Sequence, residues 1–270
     1  GDTYKITIAA DIDLGDIEFQ LKVTGNSIDY NYHQIIEYST ISVSLNQAGF
    51  PISTAELRSS PLVIDIDKDG KKEIIIGDYN GLIHIYNADG SEVENDTFPF
   101  DTGSQIWGAA SAADIDGDGI TDFAITTKGS THPPTLAHLY IFDKNGLKTD
   151  YPTNIALVST PVIGDLVDDD ELEIVFSGYS SDNKVFVINS DGSDVDGFPL
   201  TLGEKTKAGA ALADFNGNGK DDIVVGTDND NIYLIYDDGT TAPGFPYITD
   251  DKIQAAPSVA DINGEKVIFT

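Results

Sequence analysis

The chain contains no cysteine, and that absence removes disulfides, thiol nucleophiles and thiolate metal sites together. It does not exclude secretion, because metal ions can staple a fold where disulfides do not. Methionine is also missing, tryptophan occurs once, and the 270 residues begin with Gly1, as expected of a piece of a longer protein. Basic residues are scarce, 15 against 46 acidic ones, giving a formal charge of −31. That field repels phosphate backbones and anionic lipid, so nucleic acid is excluded as a partner and divalent cations are favoured. No apolar run approaches the roughly 20 residues that span a bilayer, so membrane insertion is not expected, and no signal peptide is recognisable. No stretch carries a convincing helical period. The 40% hydrophobic content is nevertheless enough to build a core, which argues against disorder despite the acidity.

What the sequence does have is an acidic loop that recurs. Asp65-Ile-Asp67-Lys-Asp69-Gly70-Lys-Lys-Glu73 is followed by Asp114-Ile-Asp116-Gly-Asp118-Gly119-Ile-Thr-Asp122 and Asp214-Phe-Asn216-Gly-Asn218-Gly219-Lys-Asp-Asp222. A looser copy runs from Asp165 to Glu173, and a shortened one begins at Asp261, so the leading aspartates stand 49, 51, 49 and 47 residues apart. A second marker keeps step: Phe50-Pro51, Phe98-Pro99, Tyr151-Pro152, Phe198-Pro199 and Phe245-Pro246 each precede the leading aspartate by 14 to 16 residues. Two markers in phase at a period near 49 indicate a structural repeat.

Each repeat reads as four short strands. In the first, Pro61–Ile64 enters the acidic loop, Glu73–Ile76 leaves it, Leu82–Tyr86 follows a turn, and a fourth segment runs past Asn87-Ala-Asp-Gly90 toward Phe98. Phe123–Thr126, Leu139–Phe142, Leu172–Phe176, Lys184–Ile188, Ile223–Val225 and Ile232–Tyr236 repeat the pattern. The opening strand is rich in small residues, as in Ala109–Ala113 and Ala208–Leu212, which suits the crowded centre of a radial array. The expected fold is therefore all-β: a β-propeller of four complete four-stranded blades, about 59–106, 107–157, 158–207 and 208–254, with a partial fifth over 255–270. Because four blades and a stub do not close a ring comfortably, the natural protein is expected to continue.

Residues 1–47 do not follow the repeat. Tyr4–Ile8, Ile17–Leu21 and Ile41–Leu45 alternate as half-buried strands, and this segment is expected to be the end of a β-sandwich, Ig-like, domain preceding the propeller of 48–270. Asp11-Ile-Asp13-Leu-Gly15 can be read as a decayed acidic loop, but a glycine stands where the third ligand belongs, so the sandwich is preferred.

Calcium takes six to eight oxygens, which a short loop supplies by alternating carboxylates plus a backbone carbonyl. In the first loop Asp65, Asp67, Asp69 and Glu73 would give side-chain oxygens and Lys71 its carbonyl, with Gly70 permitting the sharp turn. The second offers Asp114, Asp116, Asp118, Ile120 and Asp122; the fourth offers Asp214, Asn216, Asn218, Lys220 and Asp222, with two charges fewer. The third keeps Asp165, Asp169, Glu171 and Glu173, with Asp168 as a further candidate, but has Val167 at the second ligand position and Asp170 in place of the glycine. One Asp-Gly turn would be read as merely solvated; three ligand-complete copies in register point to calcium, two to four ions in all.

The closing acid comes earlier than in the helix-flanked EF-hand, and strands flank the loop. Here residues from about 49 to 270 resemble the FG-GAP and VCBS-type repeats of integrin-alpha-like propellers, which carry a strand-flanked Asp-x-Asp-x-Asp-Gly-x-x-Asp/Glu loop. The resemblance implies a non-catalytic calcium-binding module of a secreted or cell-surface protein, acting in adhesion, ligand binding or as a spacer beside other domains of its parent chain. Its ligand, protein or glycan, is not identified by the sequence.

Nothing in the sequence assembles a catalytic motif: His33, His84, His132 and His138 sit in no metal-ligand or nucleophile pattern. His84, between Ile83 and Ile85 in a strand, reads as structural. A polysaccharide lyase or hydrolase, or a lectin, with its site on a propeller face is the alternative; Trp107, which packing or a rim position would also explain, is the first candidate for stacking on a sugar, with Tyr30, Tyr79 and Tyr179 behind it.

Overall fold

The computed structural model describes residues 15–27, 30–43, 49–180 and 183–270, and the chain divides into two compact units, Gly1–Ile52 and Ser53–Thr270. In the first unit the described residues form one antiparallel hairpin, Gly15–Ser27 with Tyr30–Val43. Its register sets Ile17 opposite Ile41, so the strands expected there pair directly. No second sheet is seen among the described residues of this unit, so a sandwich is not distinguished. The expected strand at Tyr4–Ile8, Leu45 and the Asp11-Ile-Asp13 loop lie outside the described residues.

The second unit consists of successive antiparallel sheets. Sheet one is Leu62–Ile64, Glu73–Gly77, Leu82–Tyr86 and Phe100–Asp101 in chain order. Sheet two is Ser111–Ala113, Asp122–Thr126, Ala137–Asp143 and Gly146–Thr153. Sheet three is Val162–Gly164, Glu173–Ser177, Lys184–Ile188 and Leu200–Thr201. Sheet four is Ala211–Ala213, Asp222–Gly226, Asn231–Ile235 and Tyr247–Ile248, followed by the pair Ser258–Ile262 and Glu265–Phe269. Among the described residues no strand ladder joins one sheet to the next or the last to the first, so ring closure is not seen.

Alternation places the cores. In a strand successive side chains face opposite sides, and in sheet two Phe123 and Ile125 pack against Ile75, Ile83 and Ile85 of sheet one while Ala124 packs toward Ile174 and Phe176 of sheet three. Sheets three and four meet in the same way through Val175, Val187, Ile223 and Val225. Each inner sheet is thus covered on both faces, which is why its second strand is buried at every position and reads as an apolar run behind its opening acid.

Small residues open sheets two and four, where the first strands of successive sheets contact one another: Ser111–Ala113 meets Val162–Gly164, which meets Ala211–Ala213, which meets Ser258–Ile262. The approach is close. A Cβ on Gly108 would lie 2.4 Å from the Ser159 carbonyl oxygen, and Ser111 Oγ donates to the Pro161 carbonyl at 2.7 Å. The Phe-Pro marker is also structural: Phe98 and Phe198 are buried between sheets. The bonds before Pro51, Pro99, Pro199 and Pro246 are cis, whereas Tyr151-Pro152 lies within the long fourth strand of sheet two and is not.

Candidate metal centre

One register recurs at the start of all four sheets. Ile64 pairs with Glu73, Ala113 with Asp122, Gly164 with Glu173 and Ala213 with Asp222. The leading aspartate therefore sits one residue beyond the first strand and the closing acid opens the second, so each acidic loop is a hairpin end. The closing acid folds back under its loop: Glu73 Oε2 accepts from Ile66 N at 3.1 Å, Asp122 Oδ2 from Ile115 N at 3.1 Å, Glu173 Oε2 from Leu166 N at 2.7 Å and Asp222 Oδ2 from Phe215 N at 2.8 Å.

Loops one, two and four share further bonds. Gly70 N donates to Asp65 Oδ2 at 3.0 Å, Gly119 N to Asp114 Oδ2 at 2.9 Å and Gly219 N to Asp214 Oδ2 at 2.9 Å. These three glycines have φ of 88°, 82° and 90°, a left-handed conformation that favours glycine. One residue on, Lys71 N, Ile120 N and Lys220 N donate to Asp69, Asp118 and Asn218 at 2.7, 2.7 and 2.8 Å. In loop three neither Asp168 nor Asp170 has a positive φ, so the loop takes another path. It keeps the last of these bonds, Glu171 N to Asp169 Oδ1 at 2.9 Å, and the Glu171 carboxylate accepts from Ser190 Oγ at 2.6 Å.

Carboxylates converge in two of the loops. Asp65, Asp67 and Glu73 bring one oxygen each to within 4.8 Å of one another, as do Asp114, Asp116 and Asp122, and such groups can chelate a divalent cation. Among the described residues loops three and four form no such triad. In loop four Asp214 Oδ1 accepts from Gly217 N at 2.6 Å and Asn216 Nδ2 donates to Asp222 Oδ1 at 3.2 Å, so amides satisfy the oxygens from within the loop. The short copy at Asp261 closes on itself, with Gly264 N and Lys266 Nζ donating to Asp261.

The two triads differ in what neutralises them. Asp65 Oδ1 is buried and has no hydrogen-bond partner. An orphaned carboxylate oxygen in a cluster of acids is what a missing cation leaves, so these residues fit a hard divalent ion. In loop two a lysine absent from the sequence motif supplies the charge: Lys148 Nζ lies 2.5 Å from Asp116 Oδ2, 3.0 Å from Asp122 Oδ1 and 3.7 Å from Asp118 Oδ2. A signal for it exists. Aligned on the hairpin glycines Gly90, Gly146 and Gly192, Lys148 stands where the first and third repeats have Glu92 and Asp194.

Burial raises the pKa of Glu73 against the hydrogen bond from Ile66, and the neighbouring Asp67, Asp69 and Asp65 charges add to the rise. Asp122 is likewise raised by burial, against the pull of Lys148 and Ile115. Asp116 is lowered, chiefly by its hydrogen bond from Lys148. For Lys148 itself burial favours the neutral amine, but the hydrogen bonds and charges of Asp116 and Asp122 outweigh it and its pKa is raised.

At the opposite ends of the strands, Trp107 is approached by two cations, with Arg58 Cζ 4.4 Å and Lys128 Nζ 4.1 Å from its ring. Arg58 also covers Tyr79 at 4.5 Å. The indole expected as a candidate sugar platform is thus already engaged by the protein's own side chains. His84 is buried, stacks on Tyr86 and pairs with Glu92 at 2.5 Å, in keeping with a structural role.

Residues 50–125, which contain the first two acidic loops, match the FG-GAP-like repeat. No curated protein matches the chain. Among solved structures, the C-terminal domain of PilY1 from Pseudomonas aeruginosa is similar at 16% identity and TM-score 0.52, over 74% of this chain and 52% of that one. BBS1N in complex with ARL6DN is similar at 16% identity and TM-score 0.51, over 79% of this chain and 62% of that one. The Dos1 propeller is similar at 16% identity and TM-score 0.50, over 73% of this chain and 48% of that one. The chain therefore spans 48 to 62% of the length of these structures, and the likeness is one of fold. Among the described residues no helix is long and apolar enough to cross a membrane. The repeated sheets, the matched segment and these three likenesses agree on a propeller-type repeat fold, and two of its acidic loops bring together carboxylates that could chelate a divalent cation.

Proposed function

We propose that the second unit is a calcium-binding, non-catalytic β-propeller module of a larger extracellular protein, serving in adhesion, in ligand binding or as a rigid spacer. The observation that carries this reading is Asp65 Oδ1, buried without a partner in the triad with Asp67 and Glu73. Calcium fits better than magnesium, because a loop of carboxylates and a backbone carbonyl offers many oxygens in adaptable geometry, whereas magnesium demands a tight octahedron and keeps its waters. Asp65, Asp67, Asp69 and Glu73 would supply side-chain oxygens and Lys71 its carbonyl, with the equivalent residues of loops two and four as further sites of lower affinity. An extracellular setting suits a chain of charge −31 with no cysteine, since millimolar calcium can then do the work of disulfides. Its partner would be a protein or glycan.

Calorimetric titration of chelator-treated protein with calcium, followed in parallel by thermal unfolding, tests this reading. Binding together with a rise in Tm is expected, and Asp65→Asn is expected to remove the tightest site. An unchanged Tm and no heat of binding would return the loops to solvated turns.

A further inference from the structure

The sequence motif leaves loops one and two equally complete, since every acid and glycine of the pattern is present from Asp65 to Glu73 and from Asp114 to Asp122. The structure separates them. Lys148 reaches into the second triad, within hydrogen-bond distance of Asp116 and Asp122, while no ammonium reaches Asp65, Asp67 or Glu73 among the described residues. In loop one the lysines turn elsewhere: Lys71 pairs with Asp69 at the rim and Lys68 donates to the Gly119 carbonyl of the neighbouring loop.

The backbone aims Lys148 at the triad. Ile141 pairs with Thr149 but Phe142 pairs with Leu147, so Lys148 is the extra residue of a β-bulge between the third and fourth strands of sheet two. A bulge bends its strand and redirects a side chain. In the other sheets the corresponding residues form bridges instead, Glu92 with Tyr86, Asp194 with Ile188 and Thr241 with Ile235. Charge and backbone have thus both changed at this one hairpin. No side-chain oxygen of the second triad is left buried and unpartnered, in contrast to Asp65.

We infer that Lys148 is the resident cation of the second acidic loop, a tethered ammonium that stands where a divalent ion would sit and reserves tight calcium binding for the first loop. This rests on the calcium reading proposed above and adds a ranking that the motif alone does not give. Calcium can enter loop two only by displacing an ammonium that is covalently part of the protein and therefore present at high effective concentration. Removing two charge-assisted hydrogen bonds makes that displacement costly, on the order of ten- to a hundredfold in affinity.

The test is calcium titration of the wild type, Lys148→Gln, Lys148→Arg and Asp67→Asn, each with thermal unfolding in chelator. The wild type is expected to show one tight site, which Asp67→Asn removes. Lys148→Gln is expected to lower Tm in chelator, to gain a second tight site and to recover Tm on adding calcium, whereas Lys148→Arg keeps the wild-type pattern. Two tight sites in the wild type, or a Lys148→Gln profile unchanged in both calcium affinity and chelator Tm, would overturn the inference while leaving the calcium reading intact. Failure of Asp67→Asn to alter binding would instead count against the calcium reading itself.

Discussion

Arg58, the single arginine of the chain, lies with its guanidinium carbon 4.4 Å from the ring of Trp107, the single tryptophan. Arg58 belongs to the segment leading into sheet one and Trp107 to the segment leading into sheet two, so the contact ties neighbouring sheets at the ends remote from the acidic loops. Arg58→Gln is expected to cost about 0.5–1 kcal/mol, the value of a partly exposed cation–π contact. Trp107 emission should move to longer wavelength as the ring gains water. Denaturant unfolding followed by fluorescence checks both. An unshifted spectrum with unchanged stability would mean that Lys128 alone holds the indole.

In loop one the exposed Asp67 and the buried Glu73 should separate metal binding from folding. Asp67→Asn is expected to weaken calcium binding at least about tenfold, as loss of a charged ligand does, while leaving Tm in chelator unchanged. Glu73→Ala strips the acceptor from Ile66 N beneath the loop, and a buried donor left unpaired costs about 1–3 kcal/mol. Its Tm should therefore fall even in chelator. Equal behaviour of the two variants in chelator would contradict the assignment of Glu73 to the hairpin scaffold.

Calcium binding should also weaken on mild acidification, and the sign follows from burial. Glu73 and Asp122 have pKa values raised above their ordinary 4.5 and 3.8. Metal must displace any proton they carry, so affinity falls as pH drops toward these raised values, before the ordinary carboxylate range is reached. Without metal the linkage runs the other way for these two groups: a raised folded-state pKa means that their contribution to stability improves as pH falls through that value. Calcium titrations at stepped pH, with matched melts in chelator, measure the two trends. An affinity that stays flat down to pH 4.5 would show that Glu73 is not perturbed in solution.

Much of the second unit was legible in the sequence because one physical pattern repeats. The strands flanking each loop and the turn glycines follow from alternation and positive φ, and the first three strands of each sheet lie where those signals put them, whereas the fourth strand of sheet one, expected before Phe98, is Phe100–Asp101. The altered third loop was legible too, since Asp168 and Asp170 replace residues that elsewhere are Gly117 and Gly119, or Gly217 and Gly219, at positive φ. Lys148 was not legible from the loop motif, because its position depends on a bulge and on a side chain 26 residues beyond Asp122 in the chain. A motif records residues close in sequence; the counterion of a carboxylate cluster can come from any strand that passes nearby. Trp107 shows the same limit, since only the fold brings Arg58 and Lys128 against its ring.

Close approach between sheets offers the last test. Gly77 ends the second strand of sheet one, and a Cβ there would lie 2.4 Å from Ile106 Cγ2 and 2.9 Å from Ile106 Cβ. Ile106 is fully buried in the core shared with sheet two, so it has little room to withdraw. Gly77→Ala should therefore destabilise by about 1–3 kcal/mol through overpacking, despite adding one methyl group. The double variant Gly77→Ala with Ile106→Val tests the cause, because trimming Ile106 should restore part of the loss if the clash is responsible. Thermal melts in saturating calcium keep the metal loops out of the comparison. Simple addition of the two losses would place the cost of the alanine in the backbone of Gly77 and not in its contact with Ile106.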